Sequence, residues 1–194
     1  MKDLELDVKL KFEFKDYISG KNGEVEICDE IFGNEISYFR AQVKYAIYYG
    51  HKDIKLNISS PGGEVYGGLA IIRAMKEFQK QGIRFIGNVQ GYAMSIAFMI
   101  LQCCDERIMG KYDVLMCHGA SGFSIGDKKD IDSQKKIMDK FQVDFSEIIA
   151  IENTSEDPIH HTKEFWASIL DESTPQYYDC KEALELGLID RIEE

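Results

Sequence analysis

The sequence predicts an α/β fold with a largely parallel sheet. Two observations predict it. Short segments alternate apolar and polar residues, as half-buried strands do, and between them lie longer segments with apolar residues at helical spacing. Strands separated by crossover helices pair in parallel, because each helix returns the chain to the same end of the sheet.

The elements follow in order. Residues 1–23 alternate charge and hydrophobe, as in Val8-Lys9-Leu10-Lys11-Phe12-Glu13-Phe14, and read as an N-terminal arm, a strand or extended segment with one buried face. The turn Gly20-Lys21-Asn22-Gly23 leads into Glu24-Val25-Glu26-Ile27-Cys28, the first strand of a main domain over 24–194. Residues 35–48 place Ile36, Phe39, Val43, Ile47 and Tyr48 at near-helical spacing, as in an amphipathic helix. Residues 54–59 alternate again and run into Ser60-Pro61-Gly62-Gly63, after which Val65, Leu69, Ile72 and Met75 mark a second helix. A strand covers 84–89, a helix starts at Ser95 and continues through Leu101, and 108–117 supplies further strand. Over 128–150, Ile131, Met138, Phe141, Phe145 and Ile148 form an amphipathic stripe that suits either the chain's own domain or a partner. A polar turn follows over 153–158, then a helix over 160–170 with Phe165, Trp166 and Ile169.

Composition narrows the function classes. The length suits one domain with a proper core. With 34 acidic against 23 basic side chains the formal charge is -11, which argues against a nucleic-acid partner, since that affinity depends on cationic contacts with phosphate. Cys28, Cys103, Cys104, Cys117 and Cys180 are odd in number and lack zinc-ligand spacing; adjacent Cys103 and Cys104 read as core residues of a reducing compartment. The N-terminus has no apolar signal core and no apolar run reaches membrane-spanning length, so a cytoplasmic, soluble chain with no membrane partner is expected. His51, His160 and His161 read as surface residues, and neither a metal site nor a cofactor is indicated.

Chemistry concentrates between Gly91 and His118. Ser95 sits among the small residues Gly91, Ala93 and Ala97, and His118 closes the apolar run Val114-Leu115-Met116-Cys117. A serine hydroxyl attacks a carbonyl only when a neighbouring base takes its proton, and small neighbours let a substrate backbone approach. Taken alone, the stretch also fits a small-residue helix start followed by a core strand. The glycines of Ser60-Pro61-Gly62-Gly63, at a strand end before a helix, suit either a tight turn or backbone N–H groups aimed at an oxyanion. The phosphate-loop pattern Gly-x-x-x-x-Gly-Lys-Ser/Thr is missing, and so is the Gly-x-Ser-x-Gly elbow of α/β-hydrolases.

Ser60-Pro61-Gly62-Gly63, Gly91-Tyr92-Ala93-Met94-Ser95, Leu115-Met116-Cys117-His118 and Glu182-Ala183-Leu184-Glu185-Leu186-Gly187-Leu188-Ile189-Asp190 stand in one order. Together, over residues 24 to 192, they resemble the proteolytic subunit of the Clp protease (ClpP) and its phage-type relatives. The resemblance implies a crotonase-like α/β fold of repeated β-β-α units, with a projecting handle helix in the region 119–150. It implies a serine endopeptidase that cleaves unfolded proteins or peptides inside a ring-shaped oligomer. By the same resemblance Ser95 matches the nucleophile, His118 the general base, and the backbone N–H groups of Gly63 and Ile96 the oxyanion donors.

The family's third catalytic member is an aspartate, and counting back from Glu182 puts Pro175 in its place. Asp171, Glu172 and Asp179 are the nearest carboxylates; Asp171 is the first candidate if a short insertion shifts the register, Thr174 a weaker hydrogen-bonding substitute, and none is assigned the role. In the family the first residues line an axial pore and help dock an ATP-dependent unfoldase. Residues 1–23 carry no matching motif, which leaves that partner open, and phage relatives process head proteins without it. A non-catalytic ring subunit is the alternative, and Pro175 is its best argument.

Overall fold

The computed structural model describes residues 20–119, 128–171 and 174–194; the arm over 1–19 lies outside them. Three neighbouring strands begin the sheet, in the order β1 (Glu24–Ile31), β2 (Asp53–Gly63) and β3 (Arg84–Met94), with β1 at its edge among the described residues. They run parallel, joined by the crossover helices α1 (Glu35–Tyr48) and α2 (Val65–Gln79). Their alternation has the expected cause. Val25 and Ile27, then Ile54, Leu56 and Ile58, then Phe85 and Val89 enter one apolar core with Phe39, Val43, Ile71 and Met75 of the helices. A polar ladder across the same strands helps set the register. Asn88 Nδ2 donates to Asn57 Oδ1 (2.9 Å), and Asn57 Nδ2 to Glu26 Oε1 (3.0 Å), among residues paired directly across the sheet. A one-residue slip would break both bonds and turn every apolar side chain to the wrong face.

After the short helix α3 (Ile96–Gln102), the further strand material expected over 108–117 divides between β4 (Glu106–Gly110) and β5 (Val114–Cys117). The break is chemical. The Asp113 carboxylate accepts from the N–H groups of Gly110 (2.7 Å) and Gly91 (2.8 Å), folding the chain into a turn. β4 therefore pairs with β3 at Ile86 to Asn88, while β5 pairs with it further along, at Tyr92 to Met94. That shift carries His118 to the end of β3 where Ser95 lies.

The helix α4 (Lys128–Glu152) packs only its second half. Phe141, Phe145, Ile149 and Ala150 are buried, whereas residues 129–140 contain no buried side chain and Ile131 is 42% exposed. The handle expected from the resemblance thus projects by its N-terminal turns and docks on its own domain by the rest; residues 120–127 before it lie outside the described residues. The helix expected over 160–170 starts later. Pro158–His161 form a 3-10 turn, Thr162 is extended and caps the next helix through its hydroxyl, and α5 covers Lys163–Leu170. The chain closes with β6 (Gln176–Tyr178), antiparallel to β5, then α6 (Cys180–Glu185) and β7 (Arg191–Glu193), which pairs with β4.

An ionic clasp built on a buried arginine secures this last segment. Arg107, 2% exposed, donates to both carboxylate oxygens of Asp190, to Gln102 Oε1 and to Thr154 Oγ1. Partial burial pushes the Asp190 carboxyl up, but the hydrogen bonds and charge of Arg107 outweigh it and hold the group below its ordinary range.

Candidate active site

The C-terminal ends of parallel strands are where open α/β sheets present ligand sites. Here β2 ends at Gly63, β3 delivers Ser95, and β5 delivers His118. Ser95 stands at a sharp turn between β3 and α3, with φ 55 and ψ -124, a backbone state unfavourable for any residue with a Cβ. Neighbouring contacts hold it there: its N–H donates to the Met116 carbonyl of β5 (2.9 Å), and its own carbonyl accepts from Met99 N–H (3.3 Å). Glycine is required beside it. A Cβ on Gly62, whose φ is 94, would lie 2.7 Å from Ser95 Cβ and 2.8 Å from the Met94 carbonyl.

The orientation of Gly63 follows from the sheet. Glu64 N–H donates to the Ile31 carbonyl of β1 (2.8 Å), so strand alternation turns the Gly63 N–H toward the opposite edge. On that edge the last pair of β2 with β3 is Ser60 with Ala93. Ile96 is the first residue of α3, and a helix leaves its first N–H groups without an intrahelical acceptor. A pocket of about 130 Å³ is lined by Gly63, Ser95, Ile96 and His118, with Val65, Met99 and Phe145 as apolar wall. The sequence-predicted site residues thus meet in one place. The apolar wall was not anticipated, although Phe145 lay on the predicted stripe of α4.

His118 is half-buried, and its Nδ1 lies 2.6 Å from the Gly119 carbonyl. A carbonyl only accepts, so the ring proton sits on Nδ1 and Nε2 of the neutral ring carries the lone pair. Among the described residues no hydrogen bond joins Ser95 Oγ to the imidazole.

The antiparallel register of β5 with β6 pairs Cys117 with Gln176, so the next step outward sets His118 opposite Pro175. No carboxylate occupies that register position. Asp179 is engaged elsewhere: it caps α6, accepting from the N–H groups of Lys181 and Glu182, while Glu182 returns a bond to Asp179 N–H. The backbone bonds from Glu182 and Lys181 hold its carboxyl below the ordinary range. Asp171, at the end of α5, is exposed and accepts from Gln142 Nε2 at 3.4 Å. It lies near the histidine, because Gly119 packs against the carbonyl of Leu170. Glu172 lies outside the described residues.

The other candidates resolve into structural parts. His51 Nε2 bonds the Lys21 carbonyl, and His160 and His161 bond the hydroxyl and carbonyl of Ser155. His160 is half-buried against Phe165 and Trp166, more enclosed than the expected surface residue, because the 3-10 turn folds it onto α5. Cys103 and Cys104 are buried in the core, and burial pushes the Cys103 thiol up to about 12. No helix among the described residues is long and apolar enough to cross a membrane.

Fold and pocket together define an α/β protein with a serine at a strained strand-to-helix turn, a histidine beside it and a glycine-lined strand end. The sequence model of the Clp protease family matches residues 21–194, and the chain belongs to that family. It is 28% identical over 144 residues to the ATP-dependent Clp protease proteolytic subunit 3 of Rhodococcus jostii, covering 73% of this chain and 65% of that one. It is 32% identical over 146 residues to the ATP-dependent Clp protease proteolytic subunit of Deinococcus radiodurans, covering 73% and 65%. The subunit of the same name from Bacteroides fragilis is 28% identical over 142 residues, covering 73% and 64%. The chain thus spans slightly less than two thirds of the length of these relatives.

Proposed function

We propose that the chain is a serine endopeptidase of the Clp type, acting on unfolded polypeptides or peptides from within a ring of its own copies. Ser95 Oγ bonds to the peptide carbonyl carbon as His118 Nε2 takes its proton. The carbonyl oxygen becomes an oxyanion held by the N–H groups of Gly63 and Ile96. Collapse breaks the C–N bond, the amine leaves with the proton from Nε2, and water activated by the same imidazole hydrolyses the acyl-enzyme. With Pro175 opposite the ring, the Gly119 carbonyl orients His118 in place of a carboxylate. It sets the tautomer as a carboxylate would, but stabilises the imidazolium less.

One observation carries this reading: the strained Ser95 turn and an imidazole whose Nδ1 faces the Gly119 carbonyl line the same pocket. Intact-mass labelling with a fluorophosphonate tests it. A single adduct on the wild type, absent in Ser95→Ala and much slowed in His118→Ala, is expected. An assembled, folded chain that takes no adduct would move the assignment to a non-catalytic ring subunit, the reading that Pro175 favours. Ring assembly is tested by native mass spectrometry, where monomer alone at micromolar concentration would refute it. The relatives' names make an ATP-dependent partner the natural source of unfolded chains, checked by whether a cognate unfoldase stimulates degradation of a folded substrate.

A further inference from the structure

We propose that Ser60 is a positioning residue for the oxyanion-binding peptide between Gly62 and Gly63, an inference that rests on the peptidase reading above. Near Ser60 the sheet departs from regular pairing on both sides. The β2–β3 register shifts between Ile58 and Ser60, and the β1–β2 register shifts between Cys28 and Glu30, around Asp29. Asp29 has φ 65, the only non-glycine residue besides Ser95 with positive φ among those described. Such bulges re-aim local groups next to functional sites. This one brings the Asp29 carbonyl to 2.5 Å from Ser60 Oγ, which donates to it.

The Ser60 side chain is wholly buried, and its oxygen also accepts from Gly62 N–H at 3.1 Å. One hydroxyl therefore bonds the amide that precedes the proposed oxyanion donor, at the residue that the register sets against Glu30 of β1. On the far side, Glu64 N–H is fixed to the Ile31 carbonyl at 2.8 Å. The Gly62–Gly63 peptide is pinned at both flanks, and its own N–H is left to the pocket. Glycines at both of its ends make the peptide easy to rotate, so the anchors decide where the donor points. Removing the hydroxyl takes a buried bond from Gly62 N–H, and the peptide gains a reason to turn.

The test compares wild type, Ser60→Ala and Ser60→Thr in the same assembled state with a fluorogenic peptide. In Ser60→Ala, kcat is expected to fall about tenfold to hundredfold, less than for outright loss of an oxyanion donor, with KM unchanged within about twofold. Affinity for a peptide boronate, whose adduct with Ser95 mimics the tetrahedral intermediate, should fall by the same factor, while affinity for a product peptide stays constant. Ser60→Thr, which keeps the hydroxyl, should regain most of kcat. A role confined to packing would not separate boronate from product peptide, and equal losses of both would overturn the proposal. So would an unchanged kcat. If Ser60→Ala does not assemble, Ser60→Cys carries the same comparison with a weaker acceptor. A wild type that neither cleaves nor takes the fluorophosphonate overturns the peptidase reading and this role with it. An active wild type beside an unimpaired Ser60 variant overturns the Ser60 role alone.

Discussion

The β2–β3 side of the pocket and its β5–β6 side are built differently. On the first, the atoms proposed for chemistry are backbone groups or two bonds from the backbone: Gly63 N–H, Ile96 N–H and Ser95 Oγ. They sit among sheet bonds from Ser95 N–H and Glu64 N–H, the bond from Gly62 N–H to Ser60, and close approaches that admit no Cβ on Gly62 or Gly63. On the second, a long side chain is oriented by one bond to its own neighbour's carbonyl, and the register position across from it holds Pro175. The proposed oxyanion half is thus bound up with the fold itself, whereas the proposed base half can change without disturbing the sheet. Substitutions should separate accordingly: stability and activity fall together on one side, activity alone on the other.

The largest effect should come from the base half. His118→Ala removes the proposed proton acceptor and is expected to lower kcat by on the order of 10⁴ or more. Because the ring is half-buried and makes one bond to an adjacent carbonyl, the melting temperature should move little. Steady-state kinetics with calorimetry check this, and a large loss of stability would erase the contrast between the halves. Next comes Gly63→Ala. Its φ of 148 and the closeness of the Ile31 carbonyl to any added Cβ set both strain and clash against it. A fall in kcat of about 10²–10³ is expected. A loss of about 2–4 kcal/mol in unfolding free energy should accompany it. Activity lost at full stability would show that the donor half is no more tied to the fold than the histidine.

What could be read from sequence divides along the same line. Gly63, Ser95 and His118 follow strand-like segments, and parallel strands gather their C-terminal ends at one edge, so their meeting was legible. The Ser60 anchor was not, because it depends on a bulge at Asp29, thirty-odd positions away, that no local pattern marks. Arg107 was equally hidden. In Glu106-Arg107-Ile108-Met109-Gly110 it looks like an outward charge, and only Asp190 and Thr154, distant in sequence, explain its burial. The division of 108–117 into two strands turned on a side chain, Asp113, taking two backbone N–H groups, which periodicity does not report.

The Arg107–Asp190 clasp lies away from both halves and calibrates them. Asp190→Asn leaves a buried guanidinium short of its counter-charge and should lower stability by about 3 kcal/mol with kcat within about twofold of wild type. The sign with pH follows from the lowered Asp190 pKa. The clasp's contribution is fully present above the unfolded carboxylate's value, about pH 4, and is lost as the pH falls through the lower folded value. Chemical denaturation at neutral pH and at progressively lower pH should therefore show wild type and Asp190→Asn converging only in acid.

The smallest effect is expected at Asp171, and it bears most directly on the base half. If the Gly119 carbonyl is what orients His118, the Asp171 carboxylate has no part in the proton transfer. Its exposure and its long bond to Gln142 then make it a surface group. Asp171→Asn keeps shape and can still hydrogen-bond Gln142, so kcat should stay within about threefold of wild type and fluorophosphonate labelling should keep its rate. A carboxylate that shared the imidazolium's charge would behave otherwise, since converting it to an amide costs orders of magnitude through the wrong tautomer and lost charge stabilisation. A thousandfold drop in Asp171→Asn at unchanged stability would mean that the Asp171 carboxylate leaves Gln142 and replaces the Gly119 carbonyl on Nδ1 during turnover. The two halves of the pocket would then differ in when they are assembled, the oxyanion half on folding and the base half only with substrate bound.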